Sequence, residues 1–292
     1  MHDVIVIGGG PAGLQSALTL GRMHRDVLLL DSGEYRNATV DHAHNYATHD
    51  GIAPAEFRRL ARADLAAYAT VEVREARAER VERDGDGFAV HVGGTTERAA
   101  ALVLATGVRD ALPDIPGLAG AWGKEIAACP FCHGHETAGQ RVALDLEGPH
   151  LDRLTAMLGR IGAELVDVHG RVRSIARVDG GLDLTLDDGG TLRVGGMFIA
   201  PTFSQSAPFA EQLGLELNDS GCVRVDAFQA TSVPGVFAAG DAAHVPALPV
   251  PMSSIITSQA AGMVAGAAAV QHLLAREAAP VGQASRGPGQ DR

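Results

Sequence analysis

An uninterrupted apolar run at residues 4–7 gives way at once to Gly8-Gly9-Gly10-Pro11-Ala12-Gly13, and Ala, Leu and Gly then recur at helical spacing over 11–22. A short continuous apolar run between turn residues reads as a buried strand, and a recurrence near 3.6 residues reads as a half-buried helix. A second apolar run, 27–30, ends in Asp31, so the opening predicts a βαβ unit. From 71 to 104 the pattern shortens into alternating segments split by Asp84-Gly85-Asp86-Gly87 and Gly93-Gly94, which predicts a small antiparallel meander. Residues 102–105 then form a strand that meets a turn at Thr106-Gly107.

Pro113, Pro116 and Gly117 break both periodicities, so a domain boundary is expected at 110–117, with a second near Pro201. The block between should hold a helix at 151–161 and strands at 165–168 and 182–186. Val236-Phe237-Ala238-Ala239-Gly240-Asp241 is again a strand entering a turn, and Cys222 falls on a nearby strand expected to lie in the core. The stretch 255–274 is apolar and contains Gly262-x-x-x-Gly266, a pattern found where membrane helices pair. Thr257, Ser258, Gln259, Gln271 and His272 interrupt it, and a spanning helix needs about 20 predominantly apolar residues, so a packed helix is expected. Residues 278–292, rich in Pro, Gly and Ser, should be a disordered tail.

With 292 residues, 46% of them hydrophobic and 20% charged, the chain can bury one large core or two smaller ones. A net charge of -11 with no basic run repels phosphate backbones, which argues against nucleic acid as a partner. Met1 leads straight into the first strand with no basic, apolar leader, so a cytoplasmic protein is expected.

Two patterns carry chemistry. Gly8, Gly10 and Gly13 fit G-x-G-x-x-G: the first glycine makes the tight turn, the second admits a pyrophosphate, and the third lets helix and strand pack closely. The amides at the helix start would face the phosphates, and Asp31 would accept a hydrogen bond from a ribose hydroxyl. This fingerprint does not by itself separate FAD from NAD. The second pattern is Cys129-Pro130-Phe131-Cys132, two thiols that can close a disulfide, with the thiolate favoured at a helix start. Redox exchange is the expectation. A zinc site would need further soft ligands, and Cys222 has no companion. The haem attachment pattern Cys129-x-x-Cys132-His133 belongs to exported proteins. His42, His44 and His49 lack evident carboxylate or thiolate companions, so no metal site is expected.

Ala105-Thr106-Gly107 and Thr231-x-x-Pro234-Gly235-Val236-Phe237-Ala238-Ala239-Gly240-Asp241 resemble the two distal FAD motifs of the flavoprotein disulfide reductases with two dinucleotide domains. Cys129-Pro130-Phe131-Cys132-His133-Gly134-His135-Glu136 resembles the low-molecular-weight thioredoxin reductases. With His-Gly-x-Glu after the second cysteine, it is more similar still to the thioredoxin-reductase-like dithiol oxidases that close disulfides in natural products such as gliotoxin and holomycin. The resemblance implies an α/β fold: a discontinuous, three-layer FAD-binding Rossmann-like domain over 1–116 and 200–277, with a smaller degenerate nucleotide-binding-like domain inserted at 117–199. It implies FAD held by Gly8, Gly10, Pro11, Ala12, Gly13, Asp31, Asn45, Thr106, Gly107, Gly240 and Asp241. The segments Asp31 to Asn37 and His42 to Asn45 would lead toward the flavin ring. Cys132 would contact the flavin C4a and Cys129 would exchange with substrate. His133, where the reductases carry an Asp, would move the proton; otherwise His133 and His135 fill the helix start. A homodimer is also implied.

One family feature is missing. In NADPH-using members the strand after the cysteine helix runs into a second glycine-rich loop and then an Arg-rich segment. Here Val142-Ala143-Leu144 is followed by Asp145-Leu146-Glu147-Gly148-Pro149-His150, which sets acids where amides should face an anion, and a proline that removes a donor. The middle block reads as though a βαβ unit had been excised, and no NADPH binding is expected. The first expectation for function is therefore an FAD-dependent oxidase that turns a small-molecule dithiol into a disulfide with O2 as acceptor. The alternatives are a reductase of a thioredoxin-like protein fed by ferredoxin, a flavin or a partner protein, and a non-catalytic flavin redox sensor.

Overall fold

A computed structural model describes residues 1–278. Of the predicted tail 278–292, Ala278 closes the last helix and the remainder lies outside the described residues. The chain divides into two compact units: Met1–Gly33, Ala61–Gly107 and the chain from Ser206 onward, and Glu34–Leu60 with Val108–Gln205.

In the first unit, β1 (His2–Ile7) and β2 (Val27–Asp31) run parallel with Val4 opposite Val27, joined by α1 (Pro11–Gly21). Pro11 fits the first turn of α1, where its missing N–H would have no acceptor. Helix α2 (Pro54–Leu65) precedes β3 (Val71–Glu75), which lies parallel to β2 with Val27 opposite Val71. The expected meander therefore starts later than residue 71. β3 is reached through a helical crossover, which yields a parallel neighbour, whereas the tight glycine turns join only β4 (Ala78–Asp84), β5 (Gly87–Val92) and β6 (Thr95–Leu104) antiparallel. The sheet runs β3-β2-β1-β6-β5-β4, with strand Val236–Ala238 also on β6.

β6 serves both arrangements. Its polar first half pairs with β5, and its apolar second half lies parallel to β1 and is buried. Ile5, Leu28, Leu102, Leu104 and Val236 lead the core on one face. Against α1 packs the long helix Ile255–Ala278, and among the described residues no helix is long and apolar enough to cross a membrane. The Gly262-x-x-x-Gly266 pair instead serves this crossing. A Cβ at Gly262 would fall on the Ala12 carbonyl and one at Gly266 would lie 3.0 Å from the Ser16 carbonyl, while Ser16 Oγ donates to the Gly262 carbonyl at 2.8 Å.

The second unit holds an all-parallel four-stranded sheet in the order Glu164–Asp167, Arg141–Asp145, Gly196–Ile199, Ile126–Ala127. Helix Gly148–Gly159 joins the first two of these strands, so one βαβ unit remains in the middle block. The helix begins three residues before the expected 151, because Pro149 is suited to a first helical turn. An antiparallel sheet of Val172–Val178, Gly181–Leu186 and Thr191–Val194 covers a core built on Leu118, Ile126, Leu184 and Met197.

If the α1 crossing depends on a missing side chain, Gly262→Val should cost about 3 kcal/mol and Ala260→Val, on the exposed side of the same helix, well under 1 kcal/mol. Thermal unfolding of both variants checks this; equal melting temperatures would contradict the packing.

Candidate functional site

In the first unit the glycine loop is shaped by contacts that exclude side chains. Gly8, at φ +121°, would press a Cβ onto the Ala105 carbonyl, and Gly13 would press one onto the Gly8 carbonyl. Gly10 differs, for nothing lies within 4 Å of the place a Cβ would take. The loop is tied to the sheet by the Gly8 N–H donating to the Leu30 carbonyl at 2.8 Å. Helix α1 then starts without a side-chain cap and with no acid in its first turn, leaving orphan amides and the positive end of the helix dipole beside open space. That is a cradle for a phosphate group.

The distal motifs converge here. The Ala105 N–H donates to the Ile7 carbonyl at 2.8 Å, so Thr106 and Gly107, at φ +69°, leave the sheet beside the loop. The Ala239 N–H donates to the Leu104 carbonyl at 2.9 Å, and a Cβ on Gly240, at φ +74°, would stand 2.9 Å from the Ala12 Cβ. Asp241 follows, its carbonyl accepting from the Sγ of fully buried Cys222 at 3.4 Å. Asp31 is buried with its carboxylate where a Gly9 side chain would be. One oxygen accepts from the Gly33 N–H at 3.0 Å, and the other from Arg62 on α2 at 2.5 Å, which also pairs with Glu75 at 2.7 Å. Gly8, Gly10, Pro11, Ala12, Gly13, Asp31, Thr106, Gly107, Gly240 and Asp241 are thus one cluster whose open glycine, bare helix start and buried carboxylate suit a dinucleotide.

Asn45 belongs to the second unit. At φ +60° its N–H donates to Asp50 Oδ1 at 2.6 Å, and it lines a cavity with His44, Asp50, Phe131, His135 and Glu136.

Cys129 caps the short helix Pro130–His133 and is disulfide-bonded to Cys132 with Cα atoms 5.3 Å apart. Phe131, between them, is 69% exposed. His133 is oriented inward: its Nδ1 is buried with no hydrogen-bond partner. Burial holds its pKa below the usual histidine value, an effect that the Gly123 backbone and Glu136 partly offset and that nearby His44 reinforces. His133 faces a cavity of about 250 Å³ bordered by Asp41, His42, His44, Lys124, Glu125 and Glu136. His44 Nε2 lies 3.5 Å from Glu136, and its Nδ1 donates to Asp50 at 3.4 Å. The other two histidines singled out in sequence turn elsewhere: His42 Nδ1 lies 3.0 Å from the Gly51 carbonyl and His49 Nδ1 lies 2.9 Å from Thr48 Oγ1. Among the described residues no three His, Cys, Asp or Glu side chains are grouped to hold a metal ion.

The turn after strand Arg141–Asp145 is occupied by side chains. Asp145 accepts from the Gly170 N–H at 2.9 Å and stands 3.3 Å from His169 Nδ1, whose other nitrogen is 3.5 Å from Glu147. Arg62, His169 and the pairing of His44 with Glu136 had no sequence signal, since each joins segments far apart in the chain.

A cysteine pair closed as a disulfide at a helix start, in a chain with a dinucleotide cradle, defines a disulfide oxidoreductase by its chemistry. Comparison with known proteins agrees. Residues 2–145 and 153–265 match the pyridine nucleotide-disulphide oxidoreductase family, and the chain belongs to it. It is 32% identical to thioredoxin reductase tcpT of Claviceps purpurea (strain 20.1) over 94% of each chain, and 30% identical to thioredoxin reductase sirT of Leptosphaeria maculans over 91% of this chain and 92% of that one. An oxidoreductase from Agrobacterium tumefaciens superposes with a TM-score of 0.81 at 32% identity, covering 94% of this chain and 98% of the other. The chain is a thioredoxin-reductase-like, flavin-dependent disulfide oxidoreductase.

A side chain at Gly10 should compete with the flavin without touching the protein, whereas one at Gly13 strikes backbone. Gly10→Val should purify folded and nearly colourless, with stability lowered by only about 1 kcal/mol, and Gly13→Val should fail to fold. Flavin content per chain, read beside the melting temperature, decides; a fully yellow Gly10→Val protein would contradict the cradle.

Proposed function

We propose that this protein is an FAD-dependent dithiol oxidase that closes a disulfide in a small-molecule substrate, returns the electrons to dioxygen and does not use NADPH. The observation that carries the reading is the Asp145, His169 and Glu147 cluster at the turn between strand Arg141–Asp145 and helix Gly148–Gly159. A pyridine nucleotide needs bare amides and cationic groups at such a turn; carboxylates there repel its pyrophosphate. The family match is itself interrupted at 146–152, the same turn.

In this reading Gly8, Gly10, Pro11, Ala12 and Gly13 hold the FAD pyrophosphate, Asp31 accepts from the ribose, and Thr106, Gly107, Gly240, Asp241 and Asn45 complete the site. The bound flavin supplies a two-electron acceptor that dioxygen can reoxidise. The protein's own work is thiol exchange. A substrate thiolate attacks Cys129 Sγ, the bond to Cys132 breaks, and Cys132 leaves as a thiolate. The second substrate thiol then attacks the mixed disulfide, releasing the cyclised product and Cys129. His133 takes the proton from the attacking thiol. The name of the relatives, thioredoxin reductase, favours a second reading with the same residues and opposite electron flow, fed by ferredoxin, a flavin or a partner protein.

Mixed without oxygen, the yellow protein should be bleached by dithiothreitol and recover with peroxide formation when air is admitted, while NADPH leaves it yellow. Rapid bleaching by NADPH would overturn the reading, and bleaching by reduced ferredoxin alone would favour the second one. The pH dependence has a definite sign. Burial disfavours the imidazolium, so His133 is neutral at pH 7 and available as a base; the bleaching rate should fall with acid only below the ordinary histidine pKa of about 6.5. His133→Asn should lose that acid limb and about 100-fold in rate at pH 7; an unchanged profile would remove His133 from the proton step.

A further inference from the structure

We propose that His44 and Glu136 form the gate through which the proton collected at His133 passes to solvent, making them positioning residues for the exchange step. The inference rests on the thiol-exchange reading above and on three observations it does not use. First, His133 Nδ1 is buried without a partner, so a proton held on this ring has no protein acceptor at that nitrogen. Second, the cavity it faces, about 250 Å³ and lined mostly by apolar surface, is roomy enough for a short chain of waters held by the polar side chains on its border. Third, a second cavity lies beside the exposed Phe131, bordered by Asn45, Asp50 and His135, and His44 and Glu136 are the two residues that line both. They are the wall between the histidine's cavity and the outer one.

The remaining charged groups on the inner cavity are committed elsewhere. Asp41 lies 3.4 Å from Lys124, and Glu125 accepts from Nε and Nη2 of Arg177 at 2.9 and 2.8 Å. His42 is turned to the Gly51 carbonyl. Glu136 has His44, and His44 has Asp50 behind it. A carboxylate, an imidazole and a second carboxylate in series can accept a proton at one nitrogen and release one from the other. Asp50, at the outer end, has its pKa lowered by His44 and by the Asn45 and Tyr46 amides, so it stays an anionic acceptor there.

The chemistry requires such an outlet. When a dithiol reduces the Cys129–Cys132 bond, two substrate S–H bonds are lost and one S–S bond forms as another breaks. If Cys132 remains a thiolate, Cys129 regains one proton and the other must leave the protein. His133 takes it, and Glu136 and His44 deliver it outward.

The test uses flavin-loaded protein with His44→Gln and Glu136→Gln, which keep hydrogen-bonding capacity and remove proton transfer. Anaerobic bleaching by dithiothreitol at pH 7 should slow about tenfold in each, and no further in the double variant. The rate should recover as imidazole is added, while the wild-type rate is indifferent to it. Wild-type rates in both variants, or slowing that imidazole does not relieve, would overturn the gate. If dithiols do not bleach the wild-type protein, the oxidase reading falls but the gate is still measured, by photoreducing the flavin and following its reoxidation by a disulfide. The same slowing and rescue are then expected in the proton-uptake direction, and their absence would again overturn it.

Discussion

The amino end of helix α1 is fixed by contacts between backbone atoms that only glycine permits, and the first unit depends on them. Gly13 stands on the Gly8 carbonyl, Gly8 on that of Ala105, Gly240 beside Ala12, and Gly262 on the carbonyl of Ala12. Four segments distant in sequence thus meet around one helical turn. The residue at the amino end of the helix, Gly10, has no side chain to cap it, and the helix amides remain directed at the open space beside Gly10.

The second unit works through burial and electrostatics. Its disulfide opens a four-residue helix, and the next side chain, His133, is enclosed where a charged ring is disfavoured. Carboxylates surround that region, and each has a cationic or histidine partner: Asp41 with Lys124, Glu125 with Arg177, Glu136 with His44. At the far end of the parallel sheet, Asp145 and Glu147 close around His169. One unit thus combines a half-buried imidazole, its charged form disfavoured, beside the disulfide with an acidic turn at the start of helix Gly148–Gly159.

Much of this was legible in the sequence wherever the signal is local. The βαβ opening, the glycine spacing and the cysteine pair each sit within about thirty residues, where spacing reports geometry. The acidic turn at Asp145 was legible for the same reason. The strand at 71 was misassigned because a residue pattern does not say which neighbour a strand takes; only the crossover through α2 makes β3 a parallel partner of β2. Gly262 and Gly266 raised the question of a membrane helix, and the residues they pack on were not legible; the Ala12 and Ser16 carbonyls of α1 are those partners. Arg62 on Asp31, and His44 on Glu136, were invisible because each is a meeting of side chains from separate segments.

Electrons are proposed to enter this flavoprotein from sulfur, with no seat for a pyridine nucleotide in the middle block. Diffraction from crystals of the flavin-loaded protein soaked in NADP tests this most directly. The turn between Asp145 and Gly148 should keep its contacts with His169 and show no nucleotide density. An ordered pyrophosphate against the start of helix Gly148–Gly159 would contradict the proposal.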